Sequence, residues 1–161
     1  MRDAALLDNY LELRLEPRWP YIACVRKFIA GFFLIGLSDK ERAEQISMAA
    51  SELLENAIKY ASEDDTRLRL EIKRRGNEII MKVENPADPP QINILRREFA
   101  LINAGDPEEI YLRRMEEAAK IGGQSRLGLI RIRFEAGARL ELITREREVE
   151  ISAIFAIEEA P

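Results

Sequence analysis

Histidine is missing altogether from the 161 residues. That excludes a histidine general base, a phospho-accepting histidine and a histidine-ligated metal within the chain. Cysteine occurs once, at Cys24 inside an apolar run, so no disulfide framework or cysteine-cluster metal site can form within one chain. Cys24 is expected to be a small buried hydrophobe. No block of one charge is present. The 25 basic and 29 acidic residues are spread along the chain, and a net charge of −4 gives no electrostatic reason to expect nucleic acid. Long hydrophobic runs are lacking too. The most apolar, Phe28 to Leu37, falls short of the roughly 20 residues a membrane span takes, so it is expected to be a buried helix end. Met1-Arg2-Asp3-Ala4 leads into charged residues without a signal-peptide core. The expectation is a cytoplasmic protein with neither membrane nor nucleic-acid partners.

What is present describes one globular domain over residues 1–161, with 47% hydrophobic and 34% charged residues. Leu11, Leu13 and Leu15 alternate with Glu12, Arg14 and Glu16, the pattern of a half-buried strand. Pro17 and Pro20 then admit a helix over about 20–35 with Ile22, Val25, Ile29 and Phe32 on one face and Gly36 as its stop. Ser38-Asp39-Lys40-Glu41 reads as a capping box, with Ser38 as cap, opening a long helix to about Ala61 that Ser62-Glu63-Asp64-Asp65 ends. Leu68, Leu70 and Ile72, a turn at Arg75-Gly76-Asn77, and Ile79, Met81 and Val83 predict a hairpin. Pro86, Pro89 and Pro90 forbid a continuing strand. Two charged helices are expected at about Ile92–Ile102 and Pro107–Lys120, the second capped by Asp106, then a joint at Gly122-Gly123. A short helix over Leu127–Phe134, closed near Gly137, and two last strands finish the chain. This order favours an α+β two-layer sandwich with helices on one face of a mixed, mainly antiparallel sheet.

The stretch Glu52-Leu53-Leu54-Glu55-Asn56-Ala57-Ile58-Lys59-Tyr60 sits on the long helix. Its apolar residues make one face, while Glu52, Glu55, Asn56 and Lys59 recur at i, i+3, i+4 and i+7 as a polar stripe. A solvated face with a Glu55–Lys59 pair would account for that stripe without any function.

Glu-x-x-x-Asn-Ala-x-Lys-Tyr also resembles the N box of the GHKL (histidine kinase-like) ATPases. The resemblance implies Glu52 as catalytic base, Asn56 as Mg²⁺ ligand, and Lys59 and Tyr60 as part of the nucleotide site. Such a site would take Mg-ATP. Val25-Arg26, Leu37-Ser38 and the element order are similar to the anti-sigma factor and serine-kinase branch, and residues of about 86–126 would be its lid insertion. The Asp-x-Gly-x-Gly that meets adenine in that superfamily is matched here by Val83-Glu84-Asn85-Pro86-Ala87. Asn85 would be the adenine acceptor, or simply a turn residue before proline.

The second glycine box is reduced to Gln124-Ser125-Arg126-Leu127-Gly128-Leu129. Leu127 and Gly128 would belong to the phosphate site, and Arg126 would either contact phosphate or block the pocket. Asn85, Ile102-Asn103 and Gly122-Gly123 are similar to SiaB-like kinases. The lost glycines imply nucleotide bound weakly or not at all. What the resemblance implies is thus a partner-switching regulator of a STAS-like anti-sigma antagonist or a sigma-like factor. The other implied reading is an active Ser/Thr protein kinase acting on such an antagonist. Homodimerisation through the sheet is implied as well.

Overall fold

Strict alternation organises the sheet in the computed structural model, which describes residues 11–61, 67–121 and 127–157. In β2 (Leu68–Arg75) and β3 (Glu78–Pro86), Leu68, Leu70, Ile72, Ile79, Met81 and Val83 all turn to one buried face. Gly76, at φ 59°, makes the turn between them in the left-handed region. β1 (Leu11–Leu15) lines up outside β2. β5 (Glu148–Ala156) lies against the other edge of β3, and β4 (Arg139–Arg145) is outermost, giving the order β1-β2-β3-β5-β4.

Every pairing is antiparallel, which corrects the expected mixed sheet. The reason lies in the connections. The helical excursion after β3 returns at the sheet edge as β4, and the tight β4–β5 hairpin folds β5 back beside β3. Pro86 also stays in the ladder opposite Glu148, at the strand's last position.

Among the described residues, five helices make the second layer. α1 (Trp19–Leu37) packs on α2 (Lys40–Tyr60), and α2 in turn lies against β3 and β5, with Ile46, Leu53 and Leu54 fully buried. The cap of α2 is Asp39, not Ser38: its carboxylate accepts from the Arg42 N–H at 3.0 Å. Ser38 instead takes the left-handed conformation that ends α1, at φ 53°, so the helix passes beyond Gly36. The Arg42 side chain reaches the carbonyls of Ala136 and Ala156, tying the start of α2 to the end of β5.

Three expectations for α1 are corrected. Its buried row ends on Phe33, with Phe32 half-buried; Cys24 is exposed; and the Phe28–Leu37 run is no buried helix end, since Ile35 is 85% exposed. The helix is apolar around most of its circumference, and only one side meets α2. By length and composition alone it could cross a membrane, a standard that core helices also meet.

α3 (Pro89–Ile102) starts earlier than Ile92, because its two prolines occupy first-turn positions that need no N–H partner. α4 (Pro107–Ile121) is capped by Asp106, whose carboxylate accepts from the Glu109 N–H at 3.2 Å. α5 (Gly128–Phe134) follows, and Gly137 turns the chain into β4 at φ 62°. The expected features at Ser62–Asp65, Gly122-Gly123 and Arg126 lie outside the described residues.

Candidate functional site

Helical geometry alone brings Glu52, Glu55, Asn56 and Lys59 onto one side of α2. The fold then closes a cavity of about 620 Å³ over that side. Trp19 from α1, Glu98 from α3 and Gly128 and Leu129 from α5 supply the other walls, and Ile58 and Tyr60 add to the α2 wall. Glu52, Asn56, Lys59, Tyr60 and Gly128 therefore meet in one place. Lys59 holds its ammonium 5.4 Å from the centre of the Tyr60 ring.

Glu52 is the most constrained of these groups. Its side chain is 15% exposed, and Oε1 accepts from a guanidinium nitrogen of Arg131 at 2.8 Å. A Cβ added at Gly128 would overlap Oε2, so any larger residue there would make the Glu52 carboxylate shift. Burial pushes the Glu52 carboxyl above its ordinary value and the charge of Glu55 adds to that, while Arg131 and Arg26 pull it back.

Arg131 is held firmly charged. Burial works against its charge, and the hydrogen bond and charge of Glu135, together with Glu52, outweigh that. One guanidinium thus bridges the α2 carboxylate to the end of α5. Sequence reading missed Arg131. The available signal was its charge within the otherwise apolar Leu129-Ile130-Arg131-Ile132.

α3 and α4 pack beside this site. Glu98 of α3 lines the cavity and pairs with Arg114 of α4, both largely buried. Arg133 of α5 donates to the Ile102 carbonyl, and Arg96 reaches Thr144 of β4. Among the described residues, Glu52, Glu55 and Glu98 face the cavity beside Lys59, and Glu52 and Glu98 are already paired with Arg131 and Arg114. Asn56 offers an oxygen a hard cation would accept.

The remaining candidates stand apart. Asn85 is 3% exposed at the end of β3 and donates from its side chain to the Pro86 carbonyl at 3.0 Å. It borders a separate shallow depression with Arg67, Arg69 and Arg147. Leu127 is half-buried at the N-cap of α5, and its carbonyl accepts the Arg131 N–H.

No family model matches the chain, and no curated protein matches it. Its fold is similar to a chain in the crystal structure of the SiaB–SiaC complex from Pseudomonas aeruginosa, with a TM-score of 0.70. That match covers 90% of this chain and 88% of the other at 14% identity, and at such an identity the likeness is one of fold.

Proposed function

We propose that the chain is a partner-switching regulator of the anti-sigma type that works by binding a STAS-like antagonist, with Mg-ATP bound weakly or not at all. The fold likeness to a chain solved within a two-protein complex supports the protein-binding part. One observation carries the rest: Oε1 of the Glu52 carboxylate is held by Arg131 at 2.8 Å. A general base must reach the proton it removes, and a carboxylate with one oxygen already in an ion pair is less free to do that. The position of Asn85, bordering a depression separate from the cavity, supports weak nucleotide binding in the same direction.

The kinase reading shares the same cavity and differs in one respect. It needs Mg-ATP held tightly at Asn56 and Glu52 released from Arg131. Calorimetric titration with Mg²⁺-ATP separates the two. The expected result is millimolar affinity or no heat, unchanged by Asn56→Ala. Micromolar binding lost in Asn56→Ala, with the variant still folded, would establish the kinase reading instead.

A further inference from the structure

The two edges of the sheet are finished differently. At β4 the inner row ends on Thr144, whose hydroxyl accepts from Arg96 of α3, so a helix reaches over that edge. At β1 the inner row is Leu11, Leu13 and Leu15, all only half-buried, and among the described residues no strand lies outside it. Their partners across the ladder, Ile72, Leu70 and Leu68, are buried to within 1%. The apolar row of the sheet therefore runs off its edge at β1.

It runs into a groove. Leu13, Arg14, Leu15 and Glu16 make one wall and Tyr21, Cys24 and Val25 of α1 the other, around a volume of about 360 Å³. Tyr21 and Cys24 are exposed, so the α1 wall is open to solvent. The groove shares no residue with the cavity over α2.

We infer that this groove takes an extended segment of a partner protein, added to the sheet as a strand along Leu13–Leu15. Two features in one place carry the inference. An edge strand presents main-chain donors and acceptors that another extended backbone matches in register. Beside that edge the groove offers apolar walls on the inner face, where every second side chain of such a strand points. Main-chain bonds then supply affinity and the alternate side chains specificity. A helix laid in the groove would leave the edge unmatched, and hydrocarbon carries nothing to match it.

Charge specifies the remaining side chains. Arg14 and Glu16 keep 70% and 61% of their side chains in water on the outer face and differ in sign. The segment is thus apolar at every second position, with an acid across from Arg14 and a base across from Glu16. Pro17 follows directly and keeps the pairing short. Because the groove is separate from the cavity, this docking needs no Mg-ATP and does not depend on the partner being a STAS-like antagonist.

The probe is the peptide acetyl-Val-Lys-Val-Glu-Val-Lys-Val-amide, whose side-chain order is the same from both ends and so serves either strand direction. A fluorescein-labelled form is titrated with the full chain by anisotropy, and alkylation of Cys24, the single thiol, reports whether the groove is covered. Saturable binding that slows Cys24 alkylation at least tenfold is expected. The same peptide N-methylated at its interior residues keeps its side chains and loses its main-chain donors, and it is expected to bind at least tenfold more weakly. Cys24→Glu sets a carboxylate in the groove at an exposed position and is expected to weaken binding at least tenfold with unchanged circular dichroism. Equal binding of the N-methylated peptide overturns the proposal. So does the absence of binding, or binding that leaves Cys24 as reactive as before. A Cys24 already protected without peptide means that the chain itself fills the groove, or a second copy where protection grows with concentration, and overturns it as well.

Discussion

Arg69 and Arg131 each gather more than one carboxylate, and the two side chains are similarly exposed, at 31% and 36%. Arg69 lies on the outer face of the sheet among Glu12, Glu71 and Glu84, about a third exposed. Hydrogen bonds that it donates to Glu12 and Glu84 hold its guanidinium more firmly charged than usual. Like charges stand directly opposite there, Glu12 across from Glu71 and Arg14 across from Arg69, and the central guanidinium offsets them. Arg131 instead binds Glu52 and Glu135 at the wall of a cavity, where burial has pushed the Glu52 carboxyl up. The same chemistry is scaffold in one place and occupies a candidate catalytic group in the other. What separates them is that Glu52 borders the cavity, whereas Glu12, Glu71 and Glu84 do not.

The comparison breaks hardest at Arg131. Arg131→Ala leaves Glu52 desolvated without its cation, and a loss of about 1–3 kcal/mol in urea unfolding is expected. Arg69→Ala takes the shared cation from three carboxylates that lie outside the cavity, so roughly 1–2 kcal/mol is expected, part of it recovered in high salt. If the two variants lose equal stability and respond equally to salt, the contrast fails. Asn85→Ala removes one hydrogen bond outside the cavity. It should cost about 1 kcal/mol and leave any Mg²⁺-ATP affinity unchanged; a fall in that affinity would place adenine at β3.

The smallest effect is in pH dependence. Because the folded-state pKa of Glu52 is raised, the folded chain binds that proton more tightly than the unfolded one. Stability therefore falls as pH rises above the unfolded value near 4.5 and through the folded one. Glu52→Gln removes that fall, so its stability relative to wild type should be better at pH 7 than at pH 4. A constant difference would show that Glu52 is not desolvated.

Local periodicity made much of this legible in the sequence. The β2–β3 hairpin, the α2 stripe and the Asp106 cap each depend on residues a few positions apart. The Arg131–Glu52 pair joins residues 79 apart, and no spacing rule reaches across that distance. α1 failed differently. Its repeat identified an apolar face but could not say that a second, equally apolar side would be left uncovered. Ser38 and Asp39 are both good caps, and only the left-handed turn at Ser38 decides between them.

The account's central claim is tested most directly by titrating a STAS-domain protein from the same genome into this chain by calorimetry, with and without Mg²⁺-ATP. Micromolar or tighter binding, equal in the two conditions and without phosphate transfer, is the predicted result. Binding that needs Mg²⁺-ATP and ends with the partner phosphorylated, or no binding at all, would contradict it.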